Sequence, residues 1–360
     1  ADALYFYNQD LKTTLNAKAE RLDKVIFHAK LGSLRDKTNR LAAIARHVDP
    51  SNNKAAEAAL LCKSDIVSEV VDEFPNLQGI MGYYYAKAEK LSDEVATALR
   101  DHYKPQGPSD ACPKGVAATL ALADKIDSLC GLMLAGEKPS GSKDPFSLRR
   151  QALGIVRIIL ENEINIDLVE LIKFSIGEYA NSSNPERGEE SQIVIEQIIA
   201  FLEERFRYFL KDQYNAELIS AVLDMSHEPD LLETKSKLSA VDKFLHSADG
   251  DDLLNAYKRA SNILGTEKIS EKINEELFVS AEEAELFKSV VNCQVKVELA
   301  IIAKKYSKAL QALAALRIPL TNFFDKVMVK DNDPAIAQNR MALLMKMRLI
   351  FNKIAKFEKL

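Results

Sequence analysis

The feature that most narrows the fold is a run of apolar residues at helical spacing: Ile195, Ile198, Ile199, Leu202, Phe206, Phe209 and Leu210. Steps of three and four lay these side chains along one stripe of an α-helix, which must be covered by other apolar surface. Leu11, Leu15, Leu22, Val25 and Ile26 share a face in the same way near the start and predict a helical opening segment. Alternating apolar and polar residues bounded by turn signals, the mark of half-buried strands, are nearly absent. The chain reads as all-α.

Turn-forming clusters divide the helices. Lys104–Asp110, carrying Pro105 and Pro108, is a loop, and so is Gly136–Lys143 around Pro139. Breaks are also predicted at Asn181–Pro185 and at His246–Gly250. Beyond Met225-Ser226-His227-Glu228-Pro229 the helices become richer in Ala and Lys, so the main domain boundary is set at about residue 220. The division expected is 1–150, a connecting helical extension over 151–220, and a helical bundle over 221–360.

With 360 residues the chain is long enough for two or three cores. Its 47% hydrophobic and 28% charged content is that of a globular protein, not a disordered one. No apolar run reaches the roughly 18 residues a membrane span needs, and the start has no basic-then-apolar secretory pattern. The first residue is Ala1, not Met, which suggests a portion of a longer protein. Cys62, Cys112, Cys130 and Cys293 are scattered and have no zinc-ligand spacing, so small packing residues in a reducing cytoplasm are expected.

The net charge of −5 conceals an asymmetry. From Leu299 to the end, 12 Lys and Arg face 4 Asp and Glu, a net of +8, and the remainder is −13. An acidic body with a basic tail suits a polyanion held at one region, although exposed lysines also serve simply to solvate a helix.

Two carboxylates stand in suggestive settings: Asp65, after Ser64, and Asp124, in Ala123-Asp124-Lys125-Ile126-Asp127. The arrangement resembles the HD superfamily of helical metal-dependent phosphohydrolases, with Asp65 matching the Asp of the His-Asp dyad and Asp124 the distant Asp. The pattern departs from that family where it matters: Ser64 stands in place of the dyad His, and Lys37 or Thr38 in place of the early His. Without imidazoles a transition metal loses its nitrogen ligands, and two carboxylates would hold Mg²⁺ only with help from water or substrate oxygens. A lysine near the vacated position would supply positive charge instead. The expectation is an HD-like fold with a degenerate site (Ser64, Asp65, Asp124) and no metal; the plainer role for the two aspartates is to cap or bridge neighbouring helices. The five histidines, His28, His47, His102, His227 and His246, have no HxH or HExxH spacing, and no nucleophile elbow or P-loop is present.

Three stretches are more specific: Lys30-Leu31-Gly32-Ser33-Leu34-Arg35-Asp36-Lys37-Thr38, Glu73-Phe74-Pro75 through Gly82-Tyr83-Tyr84-Tyr85, and Lys138-Pro139-Ser140-Gly141-Ser142-Lys143-Asp144-Pro145-Phe146-Ser147-Leu148-Arg149-Arg150. Taken in this order and at these separations they resemble the HD-like region of the bacterial, two-subunit glycyl-tRNA synthetase β-subunit family, which also lacks the histidines. Asn255–Leu264, Ala315-Leu316-Arg317 through Phe323-Phe324 to Val329, and Asn339-Arg340-Met341-Ala342-Leu343-Leu344 are similar to the helical anticodon-binding domain of that family and of arginyl-tRNA synthetases. The resemblance spans essentially the whole chain and leaves out the family's N-terminal half.

The resemblance implies a cytoplasmic tRNA-binding part of glycine–tRNA ligase that acts on tRNA(Gly) together with an α subunit in an α2β2-type assembly, with no role for DNA or a membrane. Catalysis, ATP and Mg²⁺ would belong to the α subunit, so no catalytic residue and no cofactor is expected in this chain. Asp144 as N-cap and Pro145 at the first turn predict a helix from 145 or 146, whose amide-rich end beside Lys143, Arg149 and Arg150 would attract RNA phosphate. Lys258, Arg259, Arg317 and Arg340 are candidates for phosphate or base contacts. Phe323 and Phe324 are candidates to stack on an unpaired base, with core packing as the alternative. Asp331-Asn332-Asp333-Pro334 reads as a cap before the last helix. Two other function classes stay open on the residues alone: an HD-type phosphohydrolase and a helical scaffold without RNA binding.

Overall fold

A computed structural model describes residues 2–141, 143–183, 188–225, 230–265, 269 and 272–360. Among the described residues the chain is all-α apart from one small hairpin, and its contacts cluster into two compact units. Among the described residues, the first unit runs through Phe209 and includes Asp230–Leu232, and the second holds the rest.

The first unit opens with α1 (Asp2–Asp10) and α2 (Leu15–Glu20). The expected continuous helix over Leu11–Ile26 does not form. Thr14 caps α2 by accepting from the Ala17 amide, and the chain then passes into the antiparallel hairpin β1 (Ile26–His28) and β2 (Gly32–Ser33). The turn is helped by Gly32, whose φ of +87° suits a residue without a Cβ. Ser33 and Asp36 then form a reciprocal capping box that starts α3 (Leu34–Val48). There follow α4 (Asn53–Leu61), the short α5 (Glu69–Glu73), α6 (Ile80–Ala88), α7 (Asp93–Asp101), α8 (Val116–Leu134), α9 (Leu148–Glu161), α10 (Leu168–Ser183) and α11 (Gly188–Leu210).

Every residue of α8 from Val116 to Met133 is buried, because α3, α4, α7, α9 and α10 pack around it. A helix apolar all round can exist only in such a setting, and any ionisable group on it needs a partner. Loops lie at 104–110 and 136–141 as expected, but the predicted break at Asn181–Pro185 does not begin at Asn181, since α10 continues to Ser183; residues 184–187 lie outside the described residues. The composition shift at 226–229 also lies outside them.

In the second unit α12 (Ala216–Leu223), α13 (Leu231–Leu245), α14 (Ala248–Leu264), α15 (Ala281–Ile302), α16 (Tyr306–Ala314), α17 (Arg317–Lys326) and α18 (Pro334–Phe351) follow in order. The break expected over His246–Gly250 is only a short joint: Ser247 caps α14, and Asp249 and Gly250 are already helical. The core is mainly aliphatic and holds an aromatic cluster, with Tyr257 4.8 Å from Phe351 and Phe351 5.1 Å from Phe357, ring centre to ring centre. Asp333 caps α18 with Pro334 in its first turn, as the sequence suggests.

Packing on α8 is tightest at Gly131, where a Cβ would lie 2.1 Å from the Tyr179 hydroxyl oxygen. Gly131→Ala is expected to lower the unfolding free energy by about 1–3 kcal/mol, the usual cost of an overfilled core, read as a fall in the urea midpoint.

Candidate functional site

Two places carry the predicted residues, one in each unit. In the first, α8 presents Asp124, Asp127 and Ser128 one turn apart into the packed interior. Lys37 on α3 places Nζ 2.9 Å from Asp124 Oδ1, 2.9 Å from Asp127 Oδ2 and 2.8 Å from Ser128 Oγ. Lys63, just after α4, places Nζ 3.0 Å from Asp124 Oδ2. Arg40 donates through Nε to Asp127 Oδ1 at 2.7 Å, and its guanidinium lies 3.9 Å from the centre of the Tyr179 ring. All five charged groups are buried. Burial alone would raise the Asp124 pKa, but Lys37 and Lys63 outweigh it and hold the carboxyl well below its ordinary range.

The imidazole of His102 completes the cluster. Its Nε2 lies 2.9 Å from Lys63 Nζ and its Nδ1 lies 2.8 Å from the Leu99 carbonyl oxygen. An ammonium can only donate, so Nε2 accepts and the proton sits on Nδ1, the neutral tautomer. Burial, helped by the Lys63 charge, pushes the His102 pKa down to about 3. Asp65 takes another role: its Oδ2 accepts from the amides of Gly79 and Gly82 and so caps the start of α6. Burial raises its pKa in spite of those bonds. The φ of +82° at Gly79 is what turns that amide inward.

A divalent ion does not fit this donor set. Both oxygens of Asp124 already face lysine ammonium groups, and the His102 imidazole is taken by Lys63. Among the described residues no group of three His, Cys, Asp or Glu could hold a metal ion. Of the two replacements expected for the early His, Lys37 reaches the carboxylate, and Thr38 bonds the Arg35 carbonyl instead. Sequence reading missed Lys63, Arg40 and His102. Their one signal was that Lys63 directly precedes Ser64-Asp65.

The predicted phosphate site at α9 changes character. The helix starts at Leu148, not at 145 or 146, because both carboxylate oxygens of Asp144 accept its first amides, those of Leu148 and Arg149, at 2.7 and 3.0 Å. An anion already occupies this helix end, so it is not open to phosphate as expected. Arg149 donates to the Gly141 carbonyl, and Lys143 and Arg150 are exposed beside it.

In the second unit a groove of about 600 Å³ opens between α14 and α17, lined among others by Asn255, Arg259, Arg317, Thr321, Asn322 and Phe324. The Arg259 guanidinium covers the Phe324 ring at 4.5 Å, and Arg317 pairs with Asp252 at 2.7 Å. Lys258 is exposed one residue away. The fold thus brings Arg259, Arg317 and Phe324 together, but it removes two other candidates. Phe323 is wholly buried and has no face for a base. Arg340 is buried in ion pairs with Glu283 and Asp331, each at 2.6 Å, where it ties α18 to the cap of α15. The basic tail is also less positive than its composition suggests, because Lys326, Lys353 and Lys359 pair with Glu282, Glu298 and Asp224.

These features define a two-unit all-α protein, one unit built around an ionic centre neutralised by its own lysines, the other a bundle with an open polar groove. Residues 1–224 match the family model described as glycyl-tRNA synthetase beta subunit, and residues 253–357 match the DALR anticodon binding domain. The chain is 51% identical over all 360 residues to the glycine–tRNA ligase beta subunits of Rickettsia bellii (strain OSU 85-389) and Rickettsia conorii, and 50% identical over 357 residues to that of Rickettsia prowazekii. It covers 52% of the length of each of these relatives. The chain belongs to the glycyl-tRNA synthetase β-subunit family.

Two outcomes test the ionic centre. Lys63→Met leaves Asp124 and His102 short of a buried partner and is expected to destabilise the fold by about 3–5 kcal/mol in urea titrations, whereas Arg150→Met on the surface should cost under about 0.5 kcal/mol. The second is a pH effect. The unfolded chain protonates His102 near its ordinary value of 6.5, and the folded chain only near 3, so folding loses stability as pH falls through that window. His102→Gln is expected to flatten the acid side of the stability profile between about pH 6 and 4, by up to about 1.4 kcal/mol per pH unit.

Proposed function

We propose that this chain is the tRNA-binding half of a glycine–tRNA ligase β subunit, which holds and orients tRNA(Gly) while an α subunit in an α2β2-type assembly forms glycyl-adenylate and transfers glycine. The observation that carries this reading is the groove: most of its lining falls inside the segment matching an anticodon binding domain. Exposed Lys258, Lys305, Lys308 and Lys330, which make no ion pair among the described residues, offer charge for backbone phosphates. In this reading the first unit forms an HD-like platform that includes α9 and α10, which pack on α8 and are not the connector expected over 151–220, and the second unit carries the anticodon arm.

The self-neutralised centre weighs against the phosphohydrolase reading, since Lys37 and Lys63 leave the aspartates no room to activate a metal-bound water. Catalysis, ATP and Mg²⁺ are assigned to the α subunit, and this chain contributes positioning. The compartment proposed is the cytoplasm; among the described residues no helix is long and apolar enough to cross a membrane.

Filter binding of a glycine tRNA transcript across a salt series tests the reading. Roughly two to four phosphate contacts predict a loss of about 10- to 100-fold in affinity between about 50 and 200 mM salt. An anticodon-swapped transcript should bind more weakly. Equal binding of the two transcripts removes the recognition claim, and binding of neither leaves a helical scaffold.

A further inference from the structure

Helix α15 is apolar on two sides, and the bundle covers only one of them. Leu286, Val290, Cys293, Val297 and Ala300 are buried on the inner side. Val291, Val295, Leu299 and Ile302, at steps of four, four and three, form a second stripe on the outer side, where exposure rises from 38% at Val291 to 80% at Ile302. The stripe runs for about 16 Å, roughly three turns. Single exposed aliphatic side chains are ordinary on a protein surface, but four in line on one helix mark a contact face. A surface helix needs one apolar stripe to hold its place, so the second serves something else.

The charges beside the stripe select what covers it. Lys288 continues it one turn before Val291 and Lys296 flanks it; both are exposed and make no ion pair among the described residues. On the other edge the Glu298 carboxylate is held by Lys353. Glu285 is the single exposed carboxylate of α15. A second copy of the chain fits badly here. A two-fold axis that lays Val295 of one copy on Leu299 of another sets their Lys296 side chains on one edge within a turn of each other, like charge to like. An RNA backbone would satisfy the lysines but leave the aliphatic stripe wet.

We infer that this face docks an amphipathic helix of a protein partner, about three turns long, with aliphatic anchors on one stripe and carboxylates beside them. Anchors three and four residues apart would interdigitate with Val291, Val295, Leu299 and Ile302, and the carboxylates would meet Lys288 and Lys296. The inference stands on α15 alone and goes beyond the tRNA reading.

The whole chain is titrated against two fluorescein-labelled peptides of about 18 residues, long enough to hold a helix. They share a leucine stripe and differ only in carrying Glu or Lys at the flanking positions. The Glu peptide is expected to bind about tenfold more tightly, and Leu299→Asp to weaken it by about tenfold or more. The double variant Lys288→Glu/Lys296→Glu should prefer the Lys peptide. These side chains are exposed, so an unchanged urea midpoint confirms that each variant is folded. Equal binding of the two peptides, binding of neither, or a Glu preference that survives the double charge reversal overturns the inference. A dimer in light scattering that Leu299→Asp dissolves assigns the face to a second copy. Adsorption to phosphatidylserine vesicles, or tRNA affinity, lost in the same variant assigns it to a membrane or to RNA, and each of these results likewise overturns the partner helix.

Discussion

The first unit depends on a buried carboxylate. Asp124 sits on α8, a helix enclosed by its neighbours, and an isolated charge in that position would cost several kcal/mol. Lys37 from α3 and Lys63 from the end of α4 approach its two oxygens. The same ammonium groups pin Asp127 and Ser128 on one side and His102 on the other, so α3, α4, α7 and α8 meet at a single ionic knot. Arg40 extends the knot through Asp127 to the Tyr179 ring on α10. Such a centre is expensive to desolvate and strict about geometry, so it fixes how the helices sit more than it adds net stability.

That arrangement commits both Asp124 oxygens to cations of the chain itself. A metallohydrolase needs a cation with open coordination positions that can bind and acidify a water molecule. An ammonium group carries charge but no such positions, and the protons of Lys37 are directed at Asp127, Ser128 and the Asp124 carbonyl.

In the second unit residues of one kind meet opposite fates. Arg340 and Arg317 are both arginines of the basic tail. One is buried between Glu283 and Asp331 and holds helix ends together, and the other lies at a groove rim. Phe323 and Phe324 are neighbours in sequence and both are buried, but helical geometry turns the first wholly into the core and sets the second at the floor of the groove under the Arg259 guanidinium. A net charge of +8 over the tail becomes a patchwork of local pairs, because acidic residues of earlier helices fold back against it.

Local periodicity and chain-bound signals were legible directly. The helical stripes, the loops at 104–110 and 136–141 and the Asp333-Pro334 cap all follow from residues within a few positions of one another. Where a local signal competed with another one nearby, it failed: the opening helix gave way to the Thr14 cap and the hairpin, and α9 began late because Asp144 accepts from Leu148 and Arg149. What the sequence alone determined was the all-α class, the family pattern and the positions that could carry charge. Tertiary structure alone decided which charges neutralise each other. The pairs Lys63–Asp124, Arg340–Glu283 and Arg317–Asp252 join residues 61, 57 and 65 positions apart, and chain spacing has no information about distance in space until the helices have packed.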